Sequence, residues 1–231
     1  LRPSLSTYHC ASFSRTAPFL MAGAPSSWTE RAKLTAADGS DCDEFGNAVA
    51  LSGDTALIGA YSDNTDAGGN AGSAYILTGS AETWTEQVKL TAGDGSGDDQ
   101  FGTSVALSGD TAVIGTPRDD SCTGSDTGSA YVFQRNESNW SFEAKLTSDD
   151  PLPCERFGTS VALSNNTVLV GAPFRDGNVG AAYVFDRNPS QEWSQTERWL
   201  PPLVFGDDAP RFGTSVALSG NTALVGAHWE D

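Results

Sequence analysis

The chain has 231 residues, 38% of them hydrophobic, with 25 glycines and 11 prolines, which is enough for one sizeable core or two small ones. Thirty acidic against 13 basic residues give a formal charge of −17, which argues against nucleic acid as a partner because phosphate binding needs clustered Lys and Arg. No stretch reaches the roughly 18–20 apolar residues of a membrane helix, and the histidines, His9 and His228, form no zinc pattern with the four cysteines.

In chain order, residues 1–17 read as an irregular N-terminal segment. "PFLMAGA" at 18–24 is too short and too poorly flanked for a secretory signal. With the residues up to Leu34 it matches in length the two-strand segment 130–146. From Phe45 the chain reads "FGNAVALSGDTA", and it returns to nearly the same words at Phe101, Phe157 and Phe212, spaced 56, 56 and 55. Trp28, Trp84, Trp140 and Trp193 repeat with spacings of 56, 56 and 53. Two independent markers with one period define a tandem array, with units 28–83, 84–139, 140–192 and 193–231 inside a repeat region 18–231.

The second unit holds four strand-like runs, 84–90, 101–108, 111–116 and 129–134, with no helical period and with Gly, Asn, Asp or Ser at every join. The class is all-β. Joins alternate in length: 108–111 and 136–139 are tight turns, whereas 91–100 and 117–128 are long. In an up-and-down sheet the long loops therefore share one edge and the short turns the other. Short turns of this kind call for positive φ at their central residues, which Gly-Asp, Asn-Asn and Gly-Asn supply. Four antiparallel strands repeated radially predict a β-propeller. The repeated segment fits its inner strand, with Val105 and Leu107 on one face and the small Ser104 and Ala106 on the other. Phe45, Phe101, Phe157 and Phe212 are expected between blades, and Gly46, Gly102, Gly158 and Gly213 are expected to let backbones approach.

The Phe-Gly opening followed by Gly171-Ala172-Pro173 resembles the FG-GAP repeat of integrin α-chain propellers and related microbial surface proteins. The resemblance spans about 28–231, with looser second halves at Gly59-Ala60-Tyr61, Gly115-Thr116-Pro117 and Gly226-Ala227-His228. It implies a propeller, usually extracellular, that binds proteins or glycans through loops and is rarely catalytic. The family's calcium loop belongs in the hairpin between the two strands. Here that hairpin is only "SGDT", "SNNT" or "SGNT", too tight to wrap an ion with six or more oxygens, so no cofactor is expected. The loop Asp94-Gly95-Ser96-Gly97-Asp98 places oxygens at the first, third and fifth positions of a calcium pattern but lacks the later Gly and the bidentate Glu.

With blades starting at Phe-Gly, whole blades run 45–90, 101–146 and 157–199, and the last segment stops two strands into a fourth. Two arrangements are compatible: the termini contribute two strands each and close a four-bladed ring, or the chain is part of a six- or seven-bladed ring with further repeats beyond both ends. Cys122 and Cys154 fall on the same loop edge and form the preferred disulfide, with Cys10–Cys42 as the weaker pairing. Either bridge implies an oxidising compartment.

The chemistry is sparse. A nucleophilic triad lacks its base, and the carboxylate pairs Asp98-Asp99, Asp119-Asp120, Asp149-Asp150 and Asp207-Asp208 read as solvated loop residues. The chain is therefore expected to be a non-catalytic extracellular or cell-surface scaffold or adhesion module, without membrane insertion. Its partner would be a protein or glycan met through the long-loop face, 35–44, 61–72, 91–100, 117–128, 147–156, 173–180 and 200–211. Tyr61, Arg118, Phe174, Arg175 and Phe205 are the candidate contact residues. The alternatives are a lectin-like propeller with one sugar pocket per blade junction, or an accessory domain of a larger secreted enzyme.

Overall fold

The computed structural model describes residues 19–24, 27–80, 83–121, 124–202 and 209–228. A hairpin of β1 (Phe19–Ala24) and β2 (Ser27–Lys33) comes first. Three four-stranded antiparallel sheets follow. Blade one is β3 (Val49–Ser52), β4 (Thr55–Ala60), β5 (Ser73–Ser80) and β6 (Thr83–Leu90). Blade two is β7 (Ser104–Ser108), β8 (Thr111–Thr116), β9 (Ser129–Asn136) and β10 (Asn139–Leu146). Blade three is β11 (Ser160–Ser164), β12 (Thr167–Ala172), β13 (Ala181–Arg187) and β14 (Trp193–Trp199). A second hairpin, β15 (Ser215–Ser219) and β16 (Thr222–Gly226), ends the described fold. Within each blade every strand pairs with its neighbour in sequence, so the up-and-down order follows the repeat as predicted.

Burial follows position in the blade. All six residues of β4, and all six of β8, are buried because both faces are covered, by the N-terminal hairpin segment and blade two for β4 and by blades one and three for β8. The outer strand β6 alternates between exposed and half-buried over residues 83–88, the period of a sheet with one wet side, and ends in the buried Leu90. Between blades one and two, Leu57, Ile76 and Leu90 meet Ile114, Tyr131 and Phe133, and Val105 and Leu107 join from the inner strand. Ala106, on the opposite face of β7, packs instead against blade three with Val113 and Val132. Phe101 and Phe157 are fully buried in these two seams.

The glycines explain why the motif is repeated. A Cβ on Gly59 would stand 2.1 Å from the carbonyl oxygen of Gly102 in the next blade. The same collision arises for Gly115 on Gly158 at 2.0 Å and Gly171 on Gly213 at 1.9 Å. Each Gly of the Gly-Ala-Pro half therefore presses on the Gly of the following Phe-Gly half, and side chains on either would force the blades apart. Ser104 Oγ donates to the Gly158 carbonyl and Ser160 Oγ to that of Gly213, both at 2.8 Å, fastening the same contact. In the tight hairpins only the first central residue has positive φ (Gly53, Gly109, Asn165 and Gly220), so the expectation of two such residues per turn is corrected to one.

Among the described residues β1–β2 and β15–β16 are separate two-stranded sheets, and no pairing between them closes a four-bladed ring. Each hairpin packs instead on its neighbouring blade. Ala32, Leu34 and Ala36 lie against Ile58, Tyr75 and Leu77, and Val216, Leu218 and Val225 lie against Leu169 and Val184. Val49 and Leu51 on β3 are each 58% exposed and Leu224 on β16 is 71% exposed. The counterparts of Leu224 in the whole blades, Leu57, Val113 and Leu169, are fully buried.

Candidate binding rim

The long loops do lie on one edge, and they are laced together. The N–H groups of Asp98, Gln100 and Phe101 donate to the carbonyls of Gly69, Asn70 and Ala71 at 2.8, 3.1 and 2.9 Å. Cys154, Arg156 and Phe157 repeat the pattern on Ser125, Asp126 and Thr127, and Arg211 and Phe212 repeat it on Asn178 and Val179. Each loop entering a blade is thus tied to the loop of that edge in the preceding blade, which leaves a ribbon of satisfied backbone rather than free loops.

Beneath this rim each blade carries a charged cluster. In blade one Lys89 Nζ lies 2.6 Å from Asp38 Oδ2 and 2.7 Å from Asp63 Oδ2, and the Tyr75 hydroxyl stands 2.9 and 3.1 Å from the same two carboxylates. Blade two repeats this with Lys145 at 2.7 Å from both Asp94 and Asp119, and with Tyr131 beside them. Blade three changes the charges. Arg175 takes the place of Asp63 and Asp119, and Arg198 that of the lysines. Arg175 donates to Glu155 Oε2 at 2.7 Å, to the Tyr183 hydroxyl at 2.7 Å and to Asp150 Oδ2 at 2.8 Å. Arg198 also pairs with Asp150. Burial alone would raise the Asp38, Asp94 and Asp150 carboxyls, but their cation and hydroxyl partners outweigh it and hold all three below the usual range.

A second carboxylate in each cluster behaves in the opposite way. Asp43, Asp99 and Glu155 are buried, and burial raises all three. Burial, reinforced by the neighbouring Asp119 and Asp120 and only partly offset by the Ser96 N–H and Lys145, pushes Asp99 up to about 6. An acid raised in the folded state binds a proton there that the unfolded chain releases. Its contribution to stability is therefore greatest below about pH 4 and is lost as pH rises through about 6. Asp99→Asn, which keeps the acceptor for Ser96, should remove on the order of 2 kcal/mol from the stability difference between pH 4.5 and 7.5, read by urea denaturation. An unchanged pH profile in that variant would refute the assignment.

The contact residues proposed from sequence are divided by the structure. Tyr61 and Arg118 are half-buried at the rim. Phe174 is clamped between guanidinium groups, with Arg156 4.6 Å and Arg211 5.3 Å from its ring centroid. Arg175 is only 5% exposed and its charge is consumed internally, so its role as an exposed contact is corrected to a structural one. Phe205 lies outside the described residues. Cys154 is a free, exposed thiol, which removes the expected Cys122–Cys154 bridge. Its backbone is held at φ 60 by the bond to Ser125, and that bond fixes how the residue is presented. Cys122 and Cys10 lie outside the described residues, and Cys42 is disulfide-bonded.

The calcium-like loop sends its groups to separate partners: Asp94 to Lys145 and Tyr131, and Asp98 to the Asn70 amide at 2.9 Å. Among the described residues no cluster of three or more His, Cys, Asp or Glu side chains is suited to a metal, and no helix is long and apolar enough to cross a membrane. Sequence reading missed the charged clusters, although their members recur at the repeat spacing: Asp38, Asp94 and Asp150 stand 56 residues apart, as do Lys89 and Lys145.

A family model described as FG-GAP repeat matches residues 28–77, 84–133, 140–185 and 206–231. No curated protein matches the sequence.

Proposed function

The chain belongs to the FG-GAP repeat family, and from that premise we propose a non-catalytic extracellular or cell-surface scaffold that binds a protein or glycan through its laced rim. The observation that carries this reading is the division of labour along each blade. The inner strands and their glycine contacts are repeated almost without change, whereas the loops are held in register by backbone bonds yet differ in side chains. A pre-ordered surface loses little conformational entropy when it binds. An oxidising compartment is supported by the disulfide at Cys42.

The test is a glycan array run beside capture of surface proteins, using the whole chain, Tyr61→Ala and Arg118→Ala at the rim, and Asp110→Ala at a turn on the opposite edge. Binding should weaken in the rim variants and persist in the turn variant. Loss confined to Asp110→Ala, or catalytic turnover by the isolated chain, overturns the reading.

A further inference from the structure

An open-sided groove of about 330 Å³ lies between the second and third blades, on their outer flank and apart from the rim contacts proposed above. Leu146 and Phe185, both buried, form its apolar floor beside the indole of Trp193. The Arg187 guanidinium packs 5.9 Å from that indole ring and is itself paired with Glu143, which helps to hold the indole in place. Polar groups edge the groove, chiefly Asp149 and Gln195.

The repeat shows why the groove has this chemistry. Gln195 is the β14 residue paired with Phe185; the β10 residue paired with the equivalent Phe133 is Phe142, and the β6 residue paired with Leu77 is Glu86. The entry-loop residue at the Asp149 position is Gly93 before blade two and Ala37 before blade one. Blade three alone combines an amide with a carboxylate. Gln195 Oε1 accepts from the backbone N–H of Asp149 at 3.1 Å, which holds the Gln195 amide against the entry loop at the residue that carries the carboxylate. The amide NH₂ and the carboxylate are then left to face a ligand.

We propose that this groove binds a neutral, hexose-sized sugar ring. Its volume is near the lower end of ligand pockets, roughly 300 Å³ and upward, which suits one ring. An anionic ligand is disfavoured because the one cation lining the groove, Lys145, is already 2.7 Å from both Asp94 and Asp119, and Asp149 adds negative charge at the edge. The polar edge disfavours a purely apolar ligand. A sugar matches both parts: adjacent hydroxyls donate to the carboxylate and accept from the amide, while a C–H face lies on the aromatic floor.

Saturation-transfer NMR with glucose, galactose, mannose and N-acetylglucosamine, and with glucose 6-phosphate as the charged control, tests this on the whole chain. At least one neutral sugar should bind saturably. Gln195→Phe and Asp149→Gly, each installing the residue blade two already tolerates at that register, should weaken binding at least about tenfold with the thermal midpoint unchanged. The proposal is overturned if no neutral sugar saturates, if the phosphorylated sugar binds as well, or if both variants bind like the parent. Rim binding is read by Tyr61→Ala and Arg118→Ala, so either site can fail without the other.

Discussion

Replacing Gly59 with alanine is expected to lower the thermal midpoint by about 10 °C, whereas the same change at Gly109 should cost only a few degrees. The two glycines sit in different kinds of trouble. Gly109 has φ +56 with open space around its Cα, so an added methyl meets nothing and the penalty is the left-handed backbone alone, about 1 kcal/mol. At Gly59 the new Cβ would lie 2.1 Å from the Gly102 carbonyl oxygen, and neither backbone is free to retreat. Gly59 N–H donates to Ala48 at 2.9 Å, its carbonyl accepts from Gly46 at 2.9 Å, and Gly102 N–H donates to Gly115 at 3.1 Å. Relief requires blade one to swing away from blade two, loosening the seam of Leu57, Ile76, Phe101 and Ile114. Overpacking of this kind, combined with loss of seam burial, should cost about 4 kcal/mol. Circular-dichroism melts of the two variants decide the matter; equal shifts would mean that the blades are not held at glycine contact.

The strands, the blade boundaries and the two faces of the inner segment were legible because each is written locally and then repeated. Alternation in "SVALS" sets which side chains enter which seam, and the spacing of Phe-Gly marks where each blade begins. The charged clusters were written at the same spacing but were harder to see. Asp119 and Asp120 are adjacent in sequence and read as one solvated pair, yet the first is buried against Lys145 and the second is exposed. Adjacent loop residues face opposite ways, and only the fold says which faces inward. Arg175 misled for a related reason. Its position in a long loop suggests exposure, but its anionic partners lie 20 and 25 residues away, on the loop that enters the same blade. The disulfide pairing depends on backbone orientation at single loop residues, which loop position alone does not specify.

Removing that guanidinium should be among the most damaging single changes outside the glycine contacts. Arg175→Leu leaves Glu155, 1% exposed, without its cation, and Glu155 Oε1 already has no hydrogen-bond partner among the described residues. Breaking a buried pair from one side costs about 3–5 kcal/mol, because the desolvated charge remains while its compensation is gone. Unlike blades one and two, where a lysine still bridges two acids, the altered cluster would keep only Arg198, which reaches Asp150 rather than Glu155. The Glu155 carboxyl, already raised by burial that outweighs Arg175, should rise further. Since a raised acid costs stability only when it ionises, the deficit of Arg175→Leu should be largest above neutral pH and shrink as the solution is acidified. Adding Glu155→Gln removes the stranded charge, and the double variant should recover most of the loss at pH 7.5 and lose the extra pH dependence that Arg175→Leu introduces in urea denaturation. If the double variant is no more stable than Arg175→Leu alone, the arginine acts through packing of its stem, and the charge pairing of the third blade contributes nothing to its stability.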